Sequence, residues 1–192
     1  MTRIAVTGGL ASGKSTVCHF FKECGAYVIS ADEIVHQLLS PDTDVGQRVI
    51  NLIGSQIIVN QQIDRSQIAK KVFQQPELLK ALEDILHPAV HDEMQNQMKL
   101  AQKQDASTFV AEIPLLFEIG WEQDFDYTIF VKADCSTCKK RYRSEDYEKR
   151  MARQWKDHQK EKKAHFIIEN NGSLEQIKEA VFSLYAYLNK EE

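Results

Sequence analysis

A chain of 192 residues with 43% hydrophobic and 27% charged side chains has the make-up of one folded domain, or of one domain carrying an inserted subdomain, and this excludes wholesale disorder. No run approaches the roughly 18 apolar residues of a membrane-spanning helix, and four cysteines are too sparse for a disulfide framework. The net charge of −4 argues against a general nucleic-acid binder, yet Lys139 to Lys163 holds eleven lysines and arginines against five acids, leaving 13 against 23 elsewhere.

The first predicted element is a strand over Ile4–Thr7. It runs into glycine too soon for a secretory signal, so a cytoplasmic protein is expected. There follows Gly8-Gly9-Leu10-Ala11-Ser12-Gly13-Lys14-Ser15-Thr16, which fits G-x-x-x-x-G-K-[ST] between a strand and a helix. Glycines let backbone N–H groups turn inward around phosphates, and the helix N-terminus adds positive potential. Lys14 then reaches the β and γ phosphates and the Ser15 hydroxyl ligates Mg²⁺. The expected ATP-binding residues here are Gly9, Ala11, Ser12, Gly13, Lys14, Ser15 and Thr16. Val17, Phe20, Phe21 and Cys24 recur at helical spacing, and Gly25 supplies a stop.

A second strand, Tyr27–Ser30, leads to Asp32. A carboxylate there could take a proton from an attacking hydroxyl, help hold Mg²⁺, or cap a helix. About 75 residues separate this strand from the next, too many for one crossover. The stretch between is rich in Gln, Leu and Ile at helical spacing, with Pro41, Pro76 and Pro88 as expected breaks. It reads as a mostly helical insertion able to hold a substrate. The third strand, Thr108–Ile113, carries Glu112 near its end, either a Walker-B-like acid supporting Mg²⁺ or a plain strand-end carboxylate. A fourth strand, Tyr127–Val131, precedes Cys135-Ser136-Thr137-Cys138. That C-x-x-C has no second pair at zinc spacing and no thioredoxin-like setting. The basic segment holds Arg141, Arg143, Arg150 and Arg153, suited to closing on a transferring phosphoryl group or simply to a solvated helix face. A fifth strand, Phe166–Ile168, is followed by a capping-box pair, Ser173 and Gln176, and the stripe Leu174, Ile177, Val181, Leu184 and Leu188.

All five strands are short continuous apolar runs, the pattern of strands covered on both faces. The expected fold is therefore α/β: a P-loop kinase core with a five-stranded parallel sheet flanked by helices, a helical substrate-binding insertion and a helical lid. The expected division is 1–32, 106–138 and 164–192 for the core, 33–105 for the insertion and 139–163 for the lid. The N-K-x-D base-reading signature of GTPases is missing, since Asn189-Lys190 is followed by Glu191-Glu192.

Together these pieces resemble the dephospho-coenzyme A kinase family over nearly the whole chain. The resemblance rests on the P-loop, Ser30-Ala31-Asp32, Ile63-Asp64-Arg65, Leu86-His87-Pro88, Pro114-Leu115-Leu116-Phe117-Glu118, Gln154, Lys160 and Glu169-Asn170-Asn171-Gly172. It implies transfer of the γ-phosphoryl of ATP to the ribose 3′-hydroxyl of dephospho-CoA. By that resemblance Asp32 is the base, and Arg65, His87, Pro114, Leu115 and Phe117 line the acceptor side. Asn170 and Gly172 fall near the adenine, and Lys14, Arg141, Arg143 and Arg150 act on the phosphates. Ser15 and Glu112 are the expected Mg²⁺ residues. The implied partners are ATP and dephospho-CoA, with no nucleic acid or membrane, and a monomer or weak homo-oligomer is expected.

The chain departs from the family pattern in four places. Ser30 replaces a usual aspartate, Gln61-Gln62 stands where Asp-Gly is common, His165 stands where an aspartate is usual, and the lid is short. Two other readings remain: a P-loop kinase for a nucleoside or nucleoside monophosphate, and a nucleotide-binding switch. The Leu-His-Pro insertion separates the first from the dephospho-CoA reading, and Asp32 counts against the second.

Overall fold

A computed structural model describes residues 1–142 and 147–190. In chain order it contains β1 (Thr2–Gly8), α1 (Lys14–Glu23), β2 (Tyr27–Ser30), α2 (Ala31–Leu38) and α3 (Asp44–Ile53). Next come β3 (Ile58–Val59), β4 (Gln62–Ile63), α4 (Arg65–Val72), α5 (Pro76–Lys103), β5 (Thr108–Glu112) and β6 (Tyr127–Lys132). The chain continues with α6 (Cys135–Arg141), α7 (Tyr147–Met151), α8 (Asp157–Lys163), β7 (Phe166–Glu169) and α9 (Leu174–Leu188). It divides into two compact units, Ala31–Gln97 and the remainder.

The larger unit is built on a five-stranded parallel sheet in the order β2-β5-β1-β6-β7. These are the five predicted strands. Ile4, Ala5 and Val6 are fully buried, as are Phe109, Val110 and Ala111, and Ile129, Phe130 and Val131. Burial of successive residues means both faces are covered, which is why the sequence shows continuous rather than alternating apolar runs. α1 and α9 share a core with the sheet through Val17, Phe21, Ile177, Val181 and Leu188. α1 stops as expected at Gly25, whose φ of 93° is open to glycine. The Gly25 N–H donates to Lys22 O and the Ala26 N–H to Phe21 O, a Schellman closure. The capping box of α9 forms in both directions between Ser173 and Gln176. Leu174, placed in its apolar stripe by the spacing, instead stays 61% exposed at the first turn.

The smaller unit is mostly helical, with a core of Leu39, Val49, Ile53, Ile57, Ile68 and Leu82. Its hairpin β3–β4 turns through Asn60 and Gln61, both at positive φ (49° and 64°). Such a turn favours Asn and Gly, so the glutamine at its second position is a costly choice there. Thr43 caps α3 by accepting from the Gly46 N–H at 2.9 Å, and Asp64 caps α4 by accepting from the Ser66 N–H at 2.7 Å. Two of the three expected breaks are present, Pro41 between α2 and α3 and Pro76 at the boundary of α4 and α5, and only the expectation for Pro88 needs correcting. Pro76 opens α5, where a missing N–H costs nothing, and Pro88 lies inside the same 28-residue helix without ending it. Leu82 ahead of it and Val90 and Met94 behind it are buried, and that burial carries the helix across the lost hydrogen bond.

Candidate active site

The order of the sheet reverses at β1, and ligands of open α/β sheets bind beyond the carboxyl ends of strands at such a point. The loop after β1 ends at Gly13, the residue before α1, with φ 95°. A Cβ there would lie 1.8 Å from Asn170 Nδ2, so glycine is required by space as well as by φ. Ala11 also adopts a positive φ of 58°. Lys14, only 7% exposed, curls back so that its ammonium donates to Gly8 O at 3.3 Å and Gly9 O at 3.0 Å. The Ser12 hydroxyl is buried with no hydrogen-bond partner among the described residues, which leaves a donor available to an anion in the loop.

The Ser15 hydroxyl donates to Glu112 Oε1 at 3.0 Å, bringing together the two residues singled out for Mg²⁺. Their oxygens are the donor type that hard cation takes, and one hydroxyl with a carboxylate behind it suits an ion held largely by phosphates and water. Among the described residues no cluster of three or more His, Cys, Asp or Glu could hold a metal alone.

Asn170, at the end of β7, is buried, and its Nδ2 donates to Ser12 O at 2.7 Å. Arg141 Nη2 donates to Asn170 O and Oδ1 at 3.5 and 3.4 Å. Asn170 therefore sits against the backbone of the P-loop, and Arg141 of α6 is bonded to Asn170. A Cβ at Gly172 would lie 1.9 Å from Gln176 Oε1, so its glycine is explained by the cap of α9. Thr16 is the third residue of α1, its N–H bonded to Gly13 O. Arg150 lies on α7 with its guanidinium 6.0 Å from the Tyr142 ring, and Arg143 falls outside the described residues.

Pro114 and Leu115 are half-buried and Phe117 is buried, just beyond β5. The Thr7 hydroxyl donates to Pro114 O at 3.2 Å, tying this turn to the end of β1. A cavity of about 310 Å³ lies beside the P-loop, with Gly9 and Ser12 on one wall and Tyr147, Met151, Trp155 and Asp157 on another. Burial raises the carboxyl of Asp157 above its ordinary range. In the smaller unit Asp32 is exposed in the first turn of α2, Arg65 opens α4, and His87 precedes Pro88 in α5. Asp32 is the second residue of its helix, so the capping position falls to Ser30 and not to Asp32.

Cys135 and Cys138 are free thiols in α6, as are Cys18 and Cys24 in and after α1. Burial raises Cys138 and Cys18 above the usual thiol value, so neither is a ready thiolate for metal or exchange chemistry. The structure brings forward one group to which no role is assigned from the sequence. Lys160, amid a run of charges, is fully buried against Glu118 at 2.8 Å. A charged segment reads as solvated, so Lys160 stands out from it in the sequence only as a residue of the family resemblance, with the lone Trp155 nearby as a second sign.

A glycine-rich loop closed by a lysine, a Ser–Glu pair beside it and an arginine above it on a five-stranded parallel sheet define a P-loop kinase. Comparison with known proteins narrows the class. Residues 2–176 match the family model for dephospho-CoA kinase. A dephospho-CoA kinase of Protochlamydia amoebophila is 42% identical, over 98% of this chain and 97% of the relative. Among solved structures, a Thermus thermophilus protein superposes with TM-score 0.79 at 32% identity, covering 97% of each chain. A dephospho-CoA kinase from Campylobacter jejuni superposes with TM-score 0.73 at 27% identity, covering 98% of each. The chain belongs to the dephospho-CoA kinase family.

Proposed function

We propose that the protein transfers the γ-phosphoryl group of ATP to the ribose 3′-hydroxyl of dephospho-CoA, giving coenzyme A and ADP in the last step of coenzyme A synthesis. The observation that carries this reading is the family match over residues 2–176. The buried, unpartnered Ser12 hydroxyl and the ring of loop glycines support a polyphosphate in the loop.

In this reading the loop N–H groups and Lys14 hold the β and γ phosphates. Mg²⁺, when bound, neutralises charge on those oxygens, and Ser15 with Glu112 behind it would hold it. Arg65, His87, Pro114, Leu115 and Phe117 bind the acceptor, and residues 33–105 form an acceptor-binding insertion. Asp32 accepts the proton of the 3′-hydroxyl as its oxygen bonds to the γ-phosphorus. The bond from that phosphorus to the β–γ bridging oxygen breaks, and ADP leaves. Arg141, Arg143 and Arg150, in a lid over 139–163, stabilise the charge spread over the transferring group, and the lid excludes water. Asn170 and Gly172 border the nucleotide. Positioning and charge stabilisation supply most of the acceleration, because phosphoryl transfer asks little covalent chemistry of the protein.

The test is product mass after incubation with ATP, Mg²⁺ and a panel of dephospho-CoA, nucleosides and nucleoside monophosphates. One added phosphate on dephospho-CoA alone is expected. Asp32→Asn should lower turnover about 100-fold or more. Near-normal turnover would remove Asp32 from the mechanism, and phosphorylation of another panel member instead would overturn the acceptor assignment.

A further inference from the structure

The Lys160 ammonium does more than pair with Glu118. It also donates to Pro114 O at 3.2 Å and to Gln154 Oε1 at 3.5 Å. The same Glu118 oxygen accepts the Trp155 N–H at 2.7 Å. Pro114 O in turn accepts from Thr7, the residue before Gly8. The Trp155 ring stacks on Phe117 with centroids 6.4 Å apart and planes 21° apart. The Lys163 ammonium lies 5.4 Å from both ring centroids and is itself paired with Glu122. Trp155 also walls the cavity beside Gly9 and Ser12.

The turn after β5, the residues leading into α8 and α8 itself thus meet at one ion pair, and the end of β1 joins them through the shared Pro114 carbonyl. For stability alone this is a poor choice, since well-packed apolar residues of equal volume are commonly as good. The charges achieve what apolar groups cannot: they satisfy a buried carbonyl and a backbone N–H in one fixed geometry, so that these segments are held in register.

We propose that the Lys160–Glu118 pair couples the nucleotide cavity to the acceptor-side turn, so that each ligand tightens binding of the other. The inference rests on the acceptor role given above to Pro114–Phe117. Lys160 and Glu118 are positioning residues: they touch neither substrate, and act through Pro114, Phe117 and Trp155. Coupling of this kind is reciprocal and commonly amounts to about 5–150-fold in affinity.

The test is isothermal titration of a non-hydrolysable ATP analogue with Mg²⁺, with and without saturating dephospho-CoA, and the reverse titration. In the wild type each ligand should tighten the other at least about fivefold. In Glu118→Gln the two single-ligand affinities should stay within about threefold while the coupling falls to about one, a change that a general loosening of the fold would not produce. Because a lone buried charge can unfold a variant, Glu118→Met with Lys160→Met serves beside it, removing both charges at similar volume. That double variant should be folded and uncoupled. Retained coupling in either folded variant overturns the proposal, as does a wild type that binds both ligands independently. A wild type that binds the ATP analogue but not dephospho-CoA overturns the acceptor reading, and the coupling with it.

Discussion

At Gly13 a single methyl group is decisive. Its φ of 95° and the 1.8 Å from a built Cβ to Asn170 Nδ2 leave an alanine no place without displacing Asn170 or opening the loop. Gly13→Ala should weaken calorimetric binding of an ATP analogue at least about tenfold with an unchanged far-UV spectrum, a loss of about 1.4 kcal/mol or more. Wild-type affinity would contradict the geometry. Arg3 and Asp126 make a different kind of contact, a two-pronged ion pair at 2.5 and 3.1 Å with a further backbone N–H bond at 2.8 Å. The Arg3 guanidinium holds the Asp126 carboxyl below its usual range. A depressed carboxyl stabilises the fold fully above the unfolded value of about 3.9 and loses that effect as pH falls through the folded value. The pair is partly exposed, so the effect is modest. The gap in urea midpoint between wild type and Asp126→Asn should be present at pH 7 and shrink as pH falls below the unfolded value of about 3.9. A gap independent of pH would argue against it.

Among the elements, α5 is the one held against its own sequence. Pro88 is exposed and interior to the helix, so it removes a backbone bond and returns no packing. Pro88→Ala should raise the urea midpoint, by about 1–3 kcal/mol in stability, and a lower midpoint would show that the helix depends on the proline. The strands and caps were legible because local chemistry decides them. Two-sided burial writes continuous apolar runs, Gly25 writes a helix end, and Ser173 with Gln176 writes a helix start. Pro88 misled because tertiary burial of Leu82, Val90 and Met94 outweighs a local breaker. The turn at Asn60–Gln61 carries no glycine to announce it.

For the whole molecule, the sequence carried the P-loop and the candidates Ser15 and Glu112, since Ser15 opens the helix after β1 and Glu112 ends β5, and the pairing of β1 with β5 brings the two together. It singled out Lys160 only through the family resemblance and gave no sign of its burial, because composition alone does not separate one buried lysine from ten other lysines and arginines between Lys139 and Lys163. Nor did it carry the seat of Asn170 on the P-loop backbone with Arg141 bonded to it, which depends on where β7 ends beside β6. The central claim concerns the whole protein: that it joins a phosphate-binding loop to one acceptor hydroxyl. The most direct measurement is ³¹P NMR of the product formed from ATP, Mg²⁺ and dephospho-CoA. The account predicts one new monophosphate ester resonance, coupled to the ribose H3′ proton and growing in step with ADP. Phosphate on another position, or inorganic phosphate with dephospho-CoA unchanged, would contradict it.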